Sequence, residues 1–407
     1  MSETPSPQVA PSSSAVMPWP AALALFGFVS FVEAMGVAHV LAFAPLYLPQ
    51  LGAAPSDVPF WTGVINAGAF VVGLPLVPFW GVWAEKYGRK LIIARSAYVE
   101  TVVFFLVALS RSPVELAGSM LLSGFQLGNT GVMYAALTGL TPRARVGFAL
   151  AVVGTASSLG FALGPAVGGL LADAVGLRTL YLTDAALSLL SGLAITVLLR
   201  ESRAEGRSPV SVWRLAWEAV AGVVRIPVTR VVFLAYALAF TARSMAGPFL
   251  PLLIQELYEG ESLASVVGLV VGGTSLAGAL VAPGAGAIGD RLGYARVMVW
   301  AAIGGVAASI ALALAPSLWV LGIATFLVGA ALSAVVAMCV ALLATTTPPE
   351  RRSPTLNLAL LPLYLGGIAG PVLGAALAVV GLRAVFLGAA VPLVAALGLV
   401  RRLPKAD

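Results

Sequence analysis

The sequence predicts an all-α membrane protein, with twelve transmembrane helices in two pseudo-symmetric six-helix bundles. Three observations carry that prediction. Apolar residues make up 60% of the chain and charged residues only 10%, where a soluble domain is about a quarter charged. The apolar runs reach about 20 residues, the length that crosses a hydrocarbon core of roughly 30 Å. The segment Gly81-Val82-Trp83-Ala84-Glu85-Lys86-Tyr87-Gly88-Arg89-Lys90 is echoed at Gly286-Ala287-Ile288-Gly289-Asp290-Arg291-Leu292-Gly293, each copy in a short polar gap between apolar runs.

The elements follow in order. Residues 1–18, rich in Ser and Pro, are expected to form a disordered tail, without the basic n-region and small-residue cleavage site of a signal peptide. The first bundle, 19–199, holds apolar runs at about 19–46, 59–80, 91–109, 114–140, 147–171 and 179–199. A polar linker, 200–228, carries Ser208-Pro209 as a helix start. After it, Trp213, Trp217, Val220 and Val224 stand opposite Arg214, Glu218 and Arg225 at helical spacing. That pattern reads as an amphipathic helix on the membrane surface, with a partner-binding helix as the rival. The second bundle, 229–400, has runs at about 229–253, 264–284, 297–314, 318–346, 354–379 and 384–400, and 401–407 form a second tail.

Basic residues cluster on one side: Lys86, Arg89, Lys90, Arg95, Arg143, Arg145, Arg291, Arg296, Arg351 and Arg352, against Arg111, Arg178 and Arg383 on the other. The positive-inside rule then puts both termini in the cytoplasm of a multi-pass cell-membrane protein. The net charge of +6 lies in the gaps between spans, which argues against nucleic acid as a partner. A single cysteine, Cys339, and a single histidine, His39, offer neither a disulfide nor a metal site, and no phosphate loop or catalytic triad is present. We therefore expect no metal, no cofactor and no enzyme activity. A membrane-embedded enzyme would need clustered His, Asp or Ser at one depth, and a channel is the remaining alternative of a different class.

The duplication extends along the chain. Thr141-Pro142 recurs as Thr347-Pro348, Gly164-Pro165 as Gly370-Pro371, and Val175-Gly176-Leu177-Arg178 as Val380-Gly381-Leu382-Arg383. An even number of spans between copies gives both halves the same topology, related by an axis along the membrane normal.

The pattern at Gly81, Glu85, Gly88, Arg89 and Lys90 resembles the loop signature of the major facilitator superfamily. Its glycines suit a tight turn. The resemblance implies that the loop latches the halves during alternating access, together with Gly286, Asp290, Arg291 and Gly293. Glu85 stands where the family has Asp, and Tyr294-Ala295 where a basic pair is usual. Gly160, Gly164, Pro165, Gly168 and Gly169 resemble the fifth-span signature of the family's proton-linked exporters; three glycines clear one helix face for packing and the proline removes a backbone bond. Gly370-Pro371 echoes it, as a packing seam alone would also require. The arginine that many such exporters carry in the fourth span is missing from Leu121–Asn129.

Ionisable residues inside a membrane are costly and mark pathways or partners. Glu33 lies halfway along span 1, Glu100 halfway along span 3, Asp184 in span 6 and Arg243 deep in span 7. The resemblance places spans 1 and 7 at the central cavity. Glu33 is thus the candidate to carry a proton or meet a cationic substrate, with Arg243 as counter-charge. Glu100 and Asp184 are further candidates for which a structural role is the simpler reading. Asn66, Gln126, Asn129, Tyr134 and Asn357 either line the cavity or bond neighbouring helices, and His39 reads as an ordinary polar contact. The expected function is proton-coupled efflux of hydrophobic or cationic drug-like molecules by a monomer, with a facilitator or exporter of a sugar or amino acid, without proton coupling, as the alternative.

Overall fold

The computed structural model describes residues 17–200, 227–346 and 360–400. Asn357 and the linker segment 208–225 lie outside the described residues. Among those described, eleven helices are long and apolar enough to cross a membrane.

Numbering the crossings in chain order, span 1 is Trp19–Tyr47. Span 2 is Val58–Gly73 continued by a 3₁₀ turn at Leu74–Leu76 and Val77–Tyr87, and span 3 is Arg89–Leu109. Spans 5 and 6 are Val146–Val175 and Leu177–Leu198. Span 7 is Pro227–Ala246 extended by Gly247–Phe249 and Leu250–Leu257. Spans 8 to 12 are Leu263–Leu292, Tyr294–Ala313, Leu318–Thr346, Leu360–Ala378 and Leu382–Val400.

Span 4 differs from expectation. Instead of one helix over 114–140, two short helices, Pro113–Leu122 and Asn129–Leu140, are joined by a 3₁₀ turn at Ser123–Phe125. Gly128, with φ +87°, turns the chain into the second. A left-handed residue ends one helical run and begins the next, and glycine adopts it without a Cβ penalty. Ser112 caps the first helix by accepting from the Glu115 N–H.

The paired hairpins also differ. Span 2 runs on to Tyr87 and span 8 to Leu292, so Gly81 and Glu85, and Gly286, Asp290 and Arg291, belong to helices. The turns are single residues, Gly88 (φ +98°) and Gly293 (φ +92°). Gly81 makes no turn.

Two seams join the halves. In one, Gly169 of span 5 meets the backbone of Ala264 and Ser265 in span 8, while Gly268 and Gly272 of span 8 meet the Pro165 and Ala162 carbonyls. In the other, Gly63 of span 2 meets Pro371 and Ala375 of span 11, and Gly367 of span 11 meets Phe70. Any side chain at these glycines would strike backbone or ring atoms, so small residues set the helix separation.

The apolar core is distributed unevenly. Let the side carrying Gly88, Gly293 and Arg143 be the basic face. Toward the other face, one continuous cluster draws on both halves: Ala42, Phe43 and Tyr47 of span 1 pack in it with Phe249, Leu253 and Val267. Toward the basic face the buried residues divide in two. One group is built on Phe26, Ile93, Met133 and Ile195, the other on Val232, Met298, Val335 and Leu343. The halves are sealed together at one face and packed separately at the other.

Candidate functional site

The break in span 4 builds the site. Breaking a helix inside a membrane frees backbone carbonyls, each costing several kcal/mol if left in hydrocarbon, roughly speaking. Here side chains of span 3 meet them: Ser96 Oγ donates to the Gln126 carbonyl at 2.5 Å, and Arg95 Nη2 to the Leu127 carbonyl at 3.4 Å. The Arg95 guanidinium lies 3.4 Å from the centroid of the Trp80 ring, a cation–π contact. That ring occupies the space a Cβ on Gly128 would need.

With its backbone tied down, the break aims two amides at carboxylates. Asn129 Nδ2 donates to Glu33 Oε2 at 3.1 Å, and Gln126 Nε2 donates to Glu100 Oε1 at 3.0 Å. Glu100 is almost wholly buried and Glu33 half-buried. Arg95 is the positive charge within electrostatic range of Glu33. Tyr364, from span 11 of the second half, is also within that range and packs edge-on against Phe70, with ring centroids 5.6 Å apart. Arg243, expected as the counter-charge of Glu33, has Tyr236 of its own span as its electrostatic neighbour, while Arg95 is the cation acting on Glu33. Nε and Nη1 of Arg95, Nε1 of Trp80 and Oδ1 of Asn129 are buried without a protein partner, which leaves polar capacity around Glu33.

A second polar cluster lies further along spans 1 and 6. His39 Nδ1 is 2.9 Å from both carboxylate oxygens of Asp184, and its Nε2 is 2.9 Å from the Gly164 carbonyl. A carbonyl only accepts, so Nε2 carries a proton, and a further proton shared between Nδ1 and Asp184 completes the pair. His39 and Asp184 are nearly inaccessible, 2% and 1% exposed. His39 makes polar contacts, as expected, and through them ties span 1 to spans 5 and 6.

The model of the Major Facilitator Superfamily matches residues 26–230 and 232–407. The chain belongs to the Major Facilitator Superfamily. It is therefore a multi-pass membrane transporter rather than an enzyme. It is 29% identical over 359 residues to a multidrug resistance protein, MdtG, of Citrobacter koseri, covering 88% of each chain. It is 27% identical over 363 residues to a multi-drug resistance efflux pump, PmrA, of Streptococcus pneumoniae, covering 88% of this chain and 90% of that one. In fold it is similar to the nucleoside transporter NupG (TM-score 0.76, 14% identity, 95% of this chain and 100% of that chain). A bacterial homologue of the human lysosomal transporter Spinster is equally similar, with a TM-score of 0.76 and 14% identity over 94% of this chain and 96% of that chain.

The superfamily's fifth-span motif takes on a definite form. Gly160, Gly164 and Gly168 sit against Phe31 and Ala34, Met35, and His39 and Phe43 of span 1, where a Cβ would collide. Gly366, Gly370 and Gly374 of span 11 repeat this against span 7. In the loop motif, Arg89 Nη1 donates to the Ala135 carbonyl at 3.1 Å, within its own half. Tyr294, standing where a basic residue was expected, donates to Asp290 at 2.5 Å. The Glu85 side chain lies outside what the structure describes.

Of the polar candidates, Gln126 and Asn129 join the cluster at Glu33 and Glu100. Asn66 donates instead to the Thr62 carbonyl of its own helix at 2.8 Å, and Tyr134 packs beside Gly154 of span 5. Sequence reasoning missed Arg95, Trp80, Ser96 and Tyr364 as neighbours of Glu33. A signal existed for Arg95: it follows the apolar Leu91–Ala94, about 9 Å of helix beyond Arg89 at 1.5 Å per residue.

Proposed function

We propose that the chain exports hydrophobic or weakly cationic molecules in exchange for protons, with both termini in the cytoplasm and the paired hairpins acting as latches. One observation carries this reading: a membrane-embedded carboxylate, Glu33, half-buried and hydrogen-bonded by Asn129, with Arg95 of the first half and Tyr364 of the second within electrostatic range. A buried carboxylate able to exchange Arg95 for a proton or a cationic substrate links the two cargoes at one atom. The names of the similar efflux proteins support the drug-like class. With the basic face cytoplasmic, the sealed face is outward, and the state described is the one that loads substrate from inside.

The test is uptake of lipophilic cations into inverted vesicles or proteoliposomes under an imposed pH gradient. Wild-type protein is expected to show gradient-driven accumulation, and Glu33→Gln to lose it by at least tenfold at equal expression. Undiminished gradient-driven transport by Glu33→Gln would remove the assignment.

A further inference from the structure

Span 8 begins without a cap of its own. Its N-cap residue, Ser262, makes no side-chain hydrogen bond to the first turn. Yet the first-turn N–H groups of Ala264 and Ser265 are both satisfied, by Asp173 at the end of span 5: Oδ1 accepts from Ala264 at 3.1 Å and Oδ2 from Ser265 at 2.8 Å. A carboxylate on two orphan N–H groups at a helix N-terminus satisfies hydrogen bonds and opposes the helix dipole together. The donor helix and the acceptor carboxylate belong to different halves, at the face where the halves share one core.

We infer that Asp173 is a gating residue, a helix cap for span 8 that exists only while this face is closed. Opening that face separates Gly169 from Ala264 and Gly268 from Pro165, and so withdraws the carboxylate and leaves the two N–H groups to water. The closed state gains a bond that the open state lacks, and a differential contact of that kind shifts the equilibrium. The device is one-sided. At the seam of spans 11 and 2, the positions corresponding to Asp173 are Ala378 and Val379, and Pro59 has no N–H to offer. The inference rests on the halves rocking against each other, and the experiment separates the two ideas.

Spin labels at Thr179→Cys and Glu261→Cys, in a Cys339→Ala background in nanodiscs, report the distance across this face by pulsed electron resonance. Gly268→Val wedges the seam at the Pro165 carbonyl and serves as the positive control for opening. Asp173→Ala is expected to raise the ratio of open to closed populations about fivefold, the size of one lost cap, and Asp173→Glu to restore part of it. Adding Ser262→Asp to Asp173→Ala supplies a cap from within the second half. It should recover thermal stability while leaving the open population raised, which a merely structural role would not do. An unchanged ratio in Asp173→Ala, with Gly268→Val open, overturns the gate alone. Recovery of the closed population by Ser262→Asp overturns it equally. If no variant opens, both the gate and the rocking motion fall.

Discussion

Arg95 holds two jobs at one position: it satisfies the Leu127 carbonyl freed by the break in span 4 and places positive charge beside Glu33. Hydrogen bonds to a charged group contribute about 1.5–3 kcal/mol each. Arg95→Leu is therefore expected to lower stability by about 2 kcal/mol and to abolish gradient-driven transport, whereas Arg95→Lys keeps the charge without the planar stack on Trp80 and retains part of both. Thermal unfolding in detergent and the vesicle assay read the two effects separately. The His39–Asp184 pair gives a second residue-scale test. Removing one partner of a buried pair costs about 3–5 kcal/mol, while replacing both is often near neutral. His39→Met alone should be strongly destabilising, and His39→Met with Asp184→Ala should recover most of the loss. Additive losses in that double-mutant cycle would show that the pair contributes no coupling.

At the scale of the element, span 4 marks the limit of what the pattern of apolar residues reveals. Leu121–Asn129 keeps enough hydrophobicity to read as uninterrupted membrane helix, and the break depends on partners in other spans: Ser96 and Arg95 on the carbonyls, Trp80 over Gly128. No local signal encodes those. The hairpins were legible as paired motifs, but the turn falls on Gly88 and Gly293 alone because only those glycines take positive φ there. Gly128→Ala tests the break directly. A Cβ there meets the left-handed penalty of about 1–2 kcal/mol and also the Trp80 ring. The expected result is a loss of 2 kcal/mol or more, about what those effects sum to, with transport failing before folding does. A variant as stable and active as wild type would show that the left-handed turn does not hold Asn129 and Gln126 in place.

For the whole molecule, duplication was written plainly in the sequence, and so was the departure from it. The contacts of Gly160, Gly164 and Gly168 on span 1, and of Gly366, Gly370 and Gly374 on span 7, align the halves 206 positions apart. At that offset Glu33 corresponds to Ala239 and His39 to Met245; beyond the turns at Gly88 and Gly293, and at Gly176 and Gly381, the offset is 205, and Arg95 corresponds to Trp300, Glu100 to Gly305 and Asp184 to Ala389. The fold is repeated and the ionisable network is not. Which of those residues meet was beyond the sequence, since His39 and Asp184 are 145 positions apart and their contact depends on the rotation of three helices. Assigning Arg243 to Glu33 rested on depth alone: depth in the membrane can be counted from a sequence, but the azimuth of a side chain cannot. The asymmetry makes a prediction for the molecule as a unit. If the proton is handled in the first half, Arg243→Gln is expected to change the rate of transport by a few-fold while preserving the ratio of uptake with and without a pH gradient. Arg95→Gln should collapse that ratio toward one. The same vesicles, assayed with the gradient imposed and then dissipated by an ionophore, measure both. Loss of the ratio in Arg243→Gln would place part of the coupling in the second half, where the described structure holds no carboxylate facing Glu33.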